Sequence, residues 1–84
     1  MDDNQTTILV QNIQALMVEA LHITQAQATP DLAFGDLPQW DSMGHMEVMI
    51  LLEQRYDVEI NADTIANLTS VPAISAYLQE KDHA

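Results

Sequence analysis

The chain has 84 residues, a formal net charge of −11, no cysteine, and Arg55 and Lys81 as its only arginine and lysine. That length supports one modest core but not a core plus a deep enzymatic cleft. Without thiols there is neither a disulfide framework nor a thiolate metal site, and the charge repels phosphate backbones and anionic membrane surfaces while favouring partners with basic patches.

The polar, acidic start from Met1 to Thr7 lacks the positive stretch and apolar run of a signal peptide. From Thr7 to Leu21 the residues Leu9, Ile13, Leu16, Met17 and Ala20 recur at helical steps, which predicts a first amphipathic helix. Between Thr24 and Trp40, Pro30, Gly35 and Pro38 stand among polar residues. This predicts a long loop pinned at intervals by Leu32, Phe34 and Leu37; loops of that length are usually functional or mobile.

Asp41 and Ser42 are both good N-cap residues, and the proline-free segment from Met43 to Tyr56 predicts a second helix with Ser42 at its start. At about 100° per residue, Val48, Met49, Leu52 and Tyr56 form a core stripe. Met43, Met46 and Ile50 form a second stripe, bordered by Glu47, Glu53 and Gln54. Helical spacing alone does not separate a core face from a docking face. Exposure is the favoured reading, because methionine-rich surfaces adapt to several partners and an acidic rim suits brief docking to basic ones.

Val58-Glu59-Ile60 reads as strand-like, followed by a short helix around Ala62 to Asn67. A last helix is expected from about Val71 to Gln79, with Ser70 as its cap and Pro72 in its first turn, where the missing N–H costs little. No apolar run reaches membrane-spanning length. The expectation is a single domain over residues 1–84, ordered over about 7–80, and a soluble, cytoplasmic, unprocessed monomer without membrane insertion or nucleic-acid binding.

A serine at a helix start offers an accessible hydroxyl beside the positive end of the helix dipole, which suits a covalently attached phosphodiester. The same residue also serves as an ordinary cap. A catalytic serine needs a base held by a third group; His45 falls on the core-facing side of its helix, and no Gly-x-Ser-x-Gly elbow is present. His22 and His83 read as surface residues, and scattered histidines make no metal site. The alternation of Asp57, Glu59, Asn61 and Asp63 imitates a calcium loop, but Ala62 stands where glycine is needed and Leu68 where the closing glutamate belongs.

Phe34-Gly-Asp-Leu-Pro-Gln-Trp-Asp41-Ser42-Met43, followed by Leu52-Glu53-Gln-Arg-Tyr56-Asp-Val-Glu-Ile60 and Leu68-Thr-Ser-Val71, resembles the acyl carrier protein family, without a gap from Phe34 to Leu78. The family's Asp-Ser-Leu attachment motif is matched by Asp41-Ser42-Met43, apart from the apolar third residue. The resemblance implies an all-α fold: a four-helix bundle of three main helices and one short one, with a long loop between the first two. It further implies that a phosphopantetheinyl transferase moves a 4′-phosphopantetheine arm from coenzyme A onto Ser42, with Asp41 and Met43 beside it. Cargo is then a thioester, put on by an acyl- or aminoacyl-loading ligase or transferase and passed to downstream biosynthetic enzymes. The chain itself catalyses nothing, and its docking residues would be Met43, Met46, Glu47 and Ile50.

Carriers of primary fatty acid synthesis have an acidic residue soon after the motif and a run of glutamates later in the helix. Gly44-His45 and Glu53-Gln54-Arg55 stand at those places here. The stretch from Trp40 to His45 is more similar to free-standing carriers of specialised polyketide, nonribosomal peptide or modified-sugar pathways. A housekeeping fatty acid carrier, and an unmodified helical interaction module in which Ser42 only caps its helix, remain the alternatives.

Overall fold

Helical spacing of apolar residues near the N-terminus produces α1 (Asp3–Leu21), which buries Ile13, Leu16, Met17, Ala20 and Leu21. The computed structural model describes residues 3–83, with side chains over 5–81. Helix α1 therefore begins earlier than the expected Thr7, at Asp3. It ends where His22 turns left-handed (φ 57°).

Residues 24–40 form the predicted loop, but the pins differ from those expected. Leu32 is buried and Leu37 half-buried, whereas Phe34 is exposed, and the fully buried anchor is Trp40. Backbone pairing holds the loop against the link before the last helix: Phe34 N–H donates to the Thr69 carbonyl and Val71 N–H to the Leu32 carbonyl, each at 2.8 Å. The resulting Ala33–Ser70 bridge is isolated. On the other side, the Gln14 side-chain amide donates to the Ala28 carbonyl and ties the loop to α1.

Helix α2 (Ser42–Tyr56) closes on Asp57 in the left-handed region (φ 57°), whose N–H donates to the Glu53 carbonyl at 3.1 Å. Val58 N–H then donates to the Leu52 carbonyl at 3.5 Å. The reading of Val58-Glu59-Ile60 as strand-like is corrected here. Val58 is the buried apolar residue that follows a left-handed helix stop, and no strand forms among the described residues.

Helix α3 (Ala62–Asn67) starts at a reciprocal capping box, with Thr64 N–H on Asn61 Oδ1 and Asn61 N–H on Thr64 Oγ1, both at 3.0 Å. Asn61 thus caps a helix, and no group of residues suited to a metal ion occurs among the described residues. Helix α4 (Val71–His83) extends beyond the expected Gln79, and Ser70 Oγ caps it by accepting from Ala73 N–H at 3.1 Å. The side chain of His83, expected at the surface, lies outside the described ones.

Helix α1 packs against both α2 and α4. Its stripe meets Val48, Met49 and Leu52 from α2 and Ile74 and Leu78 from α4, with Trp40 sealing one end. Each fully buried side chain of this kind contributes about 1.5–3 kcal/mol relative to exposure. The fold is the expected all-α arrangement of three main helices and one short one. No described helix is long and apolar enough to cross a membrane.

Candidate functional site

The first turn of α2 is organised by Asp41, not by Ser42. Asp41 is extended (φ −102°, ψ −165°), and its Oδ1 accepts from Gly44 N–H at 2.9 Å, while its carbonyl accepts from His45 N–H at 2.8 Å. Ser42 is consequently the first helical residue. Its side chain is exposed, and its hydroxyl makes no hydrogen bond among the described residues. The N–H groups of Ser42 and Met43 are the orphan donors left at the positive end of the helix. An accessible hydroxyl beside free donors suits a phosphodiester on Ser42.

Gly44 lets the loop pass close over this turn. A Cβ there would overlap the Gln39 carbonyl oxygen and stand 2.9 Å from Leu21 Cδ2. The end of the loop, the end of α1 and the start of α2 therefore meet at one glycine, which fixes where Asp41 and Ser42 emerge.

His45 is buried, as its helical position predicts, and both of its ring nitrogens are engaged. Trp40 Nε1–H donates to His45 Nδ1 at 3.0 Å, and His45 Nε2 lies 2.8 Å from the Ile65 carbonyl. The tryptophan donor requires Nδ1 to be the acceptor, so Nε2 carries the proton and donates to Ile65. Neither nitrogen is free to take a proton from Ser42, so a serine–histidine nucleophile is not assembled. Sequence reasoning placed His45 on the inner face but missed both partners: Trp40 lies five residues earlier in the loop, outside the helical period, and Ile65 is brought in by the packing of α3.

The second stripe of α2 is exposed. Met43 is 81 % accessible, Met46 42 % and Ile50 40 %, and Glu47 is exposed beside them. Four neighbouring apolar or acidic side chains thus run from the Ser42 end along the outer face of α2. The inner stripe of Val48, Met49 and Leu52 is completely covered.

At the far end of α2, Arg55 pairs with Glu19 of α1 at 2.5 Å. The guanidinium holds the Glu19 carboxyl below its usual range, first by the hydrogen bond and then by its charge. One of the chain's two strong cations is therefore engaged far from Ser42.

The sequence model of the family described as "Phosphopantetheine attachment site" matches residues 11–78. An acyl carrier protein of Helicobacter pylori (strain J99 / ATCC 700824) is 28% identical over 72 residues, covering 86% of this chain and 92% of that protein. One from strain G27 is 29% identical over the same length and shares. A meromycolate extension acyl carrier protein of Mycobacterium tuberculosis (strain ATCC 25618 / H37Rv) is 28% identical over 72 residues, covering 86% of this chain and 63% of that protein.

Proposed function

The chain belongs to the acyl carrier protein family, whose members bear covalent 4′-phosphopantetheine and carry cargo without catalysing its chemistry, and from that premise we propose that Ser42 is the attachment residue. One observation carries the proposal: the Ser42 hydroxyl is exposed, and has no hydrogen-bond partner among the described residues, at the first position of α2, with Asp41 rather than Ser42 acting as cap. Asp41 fixes the turn, and Met43 flanks the hydroxyl on the outside. The group, when attached, supplies a terminal thiol that holds acyl or aminoacyl cargo as a thioester. The protein's own contribution is to present that attachment point and to dock. Tethered delivery raises effective concentration, so weak contacts are enough.

The docking face in this reading comprises Met43, Met46, Glu47 and Ile50. A phosphopantetheinyl transferase would use it first, then an acyl- or aminoacyl-loading ligase or transferase, then biosynthetic enzymes with basic patches. The pathway we favour is a specialised one, making polyketides, nonribosomal peptides or related products. Support comes from the turn after Ser42, where Gly44 has no room for a side chain and His45 is buried. Neither residue can present the exposed acidic group that housekeeping carriers have there. Residues 1–84 in this reading form one monomeric, cytoplasmic carrier domain.

The test is intact mass after incubation of the protein with coenzyme A and a broad-specificity transferase, beside Ser42→Ala. The expected result is a gain of one phosphopantetheine in the parent and none in the variant. A folded, initially unmodified parent that gains nothing with several transferases would overturn the assignment of Ser42. Efficient loading by fatty acid synthase enzymes, with none by pathway-specific ligases, would overturn the specialised pathway alone.

A further inference from the structure

The first turn of α2 is fastened on its inner side by two side chains that the outer stripe does not include. Trp40 stands just before the cap and is fully buried, and His45, one turn into the helix, is buried as well. Trp40 Nε1–H donates to His45 Nδ1 at 3.0 Å, so the bond closes over Asp41, Ser42, Met43 and Gly44. Asp41 accepts from Gly44 N–H at 2.9 Å and from His45 N–H at 2.8 Å, but both of those bonds run within the turn. The tryptophan–histidine bond ties the turn to the interior. The indole belongs to the main core cluster, and the Trp40 backbone N–H holds the loop by donating to the Leu37 carbonyl at 3.0 Å.

This bond depends on one tautomer. An imidazole accepts at Nδ1 only while that nitrogen is bare, and the partner of the other nitrogen decides where the proton sits. His45 Nε2 lies 2.8 Å from the Ile65 carbonyl, in the last turn of α3, where intrahelical donors run out. A carbonyl can only accept, so it draws the proton to Nε2 and leaves Nδ1 to receive the indole. Phe34 stands edge-on to the imidazole with centroids 5.7 Å apart, and the Trp40 ring lies 6.1 Å away, tilted by 31°. Two rings thus hold its plane while Ile65 holds its tautomer.

We propose that His45 is a positioning residue for the modification of Ser42, a reading that rests on Ser42 as the attachment point. With Trp40 it sets the tilt of the first turn of α2, and with it the direction in which the Ser42 hydroxyl leaves the surface. Both ring nitrogens are engaged, so His45 takes no proton from the hydroxyl and acts only through the turn. In the transfer step the Ser42 oxygen bonds to the coenzyme A phosphorus that bears the pantetheine. The pyrophosphate bridge breaks, the nucleotide phosphate leaves with the electron pair, and the serine proton passes to a base of the transferase. Displacing the attacking oxygen by about 1 Å costs on the order of 100-fold in rate. Met46, Glu47 and Ile50 lie further along the outer face of α2, so a change of tilt falls on kcat and not on KM.

Steady-state kinetics of modification on the full chain, with coenzyme A, a broad-specificity transferase and intact mass as the product assay, test this on three variants checked for folding in urea. His45→Asn puts an oxygen where Nδ1 stood, keeping the acceptor for Trp40 and losing Ile65. His45→Gln reaches the place of Nε2, keeping the donor for Ile65 and losing the acceptor, and Trp40→Phe keeps a ring but removes the indole donor. Trp40→Phe and His45→Gln should each lower kcat about tenfold with KM within about twofold of the parent. His45→Asn should keep kcat within about threefold even where it is the least stable of the three. Lost stability alone would raise the apparent KM, because only folded protein is substrate, and would leave kcat unchanged. Where Trp40→Phe fails to fold, the two His45 variants decide. An unchanged kcat in His45→Gln, a His45→Asn as slow as His45→Gln, or rates that simply follow stability would overturn the positioning role and leave the attachment site standing. No mass gain in the parent would overturn both.

Discussion

Met46 and Met49 stand one helical turn apart on α2, with the same side chain and opposite fates: Met49 is 0 % accessible and Met46 42 %. Around Met49, Val48 and Leu52 complete a stripe closed by α1; around Met46, Met43 and Ile50 complete one that stays open to solvent among the described residues. Exposed apolar area of this kind brings no folding benefit. In the proposed reading, its arrangement beside Ser42, with Glu47 at its edge, separates stability on one face of α2 from recognition on the other.

The largest effect should come from truncating the covered face. Met49→Ala is expected to cost about 2–5 kcal/mol, as for buried methionine in a packed core. Met46→Ala should stay within about 0.5 kcal/mol, as for surface changes. Urea denaturation measures both. Transferase and loading kinetics should reverse the order among folded variants, with KM rising for Met46→Ala. Equal stability losses would break the comparison.

Gly44 sharpens it, because it lies where the two faces share the first turn. Alanine in place of a helical glycine ordinarily stabilises by about 0.5–1 kcal/mol. Here the new methyl would meet the Gln39 carbonyl and Leu21, so Gly44→Ala should instead destabilise by about 1–3 kcal/mol, the range for overpacking. A stabilised variant would show that the end of the loop yields, and would weaken the case that this turn excludes an acidic side chain.

Much of this arrangement was readable from the chain, because helical spacing and capping are local. Asp41 and Ser42 were both plausible caps, and only the geometry of Gly44 N–H on Asp41 Oδ1 separates them. Asp41→Ala should therefore cost about 1 kcal/mol, while Ser42→Ala should be nearly neutral in the same thermal or urea melt. Three features were not readable. Val58 looked extended because β-branched residues favour strands, yet its burial follows from the left-handed stop at Asp57. Trp40, not among the expected pins, anchors the loop, whereas Phe34, expected to pin it, has an exposed side chain. A groove beside Ser42 joins Phe34, Ile65 and Thr69 from distant segments, a juxtaposition that no periodicity encodes.

The smallest effect should come from the one ion pair seen among the described residues, Glu19–Arg55, which links the C-terminal end of α2 to α1. Because Arg55 lowers the Glu19 carboxyl below its usual value, the pair's contribution is present above the unfolded carboxyl pKa of about 4.3 and is lost as pH falls through the lower folded value. Arg55→Ala should shift the acid side of the stability curve slightly and leave the neutral plateau almost unchanged, since exposed pairs contribute little. High salt should shrink the difference between parent and variant, because exposed charges are screened. Modification of Ser42 should be unaffected, as the pair lies at the opposite end of the helix. If Arg55→Ala slowed modification as much as Met46→Ala, the recognition surface would have to extend along the whole of α2, and the division between its two faces would not be the one that governs docking.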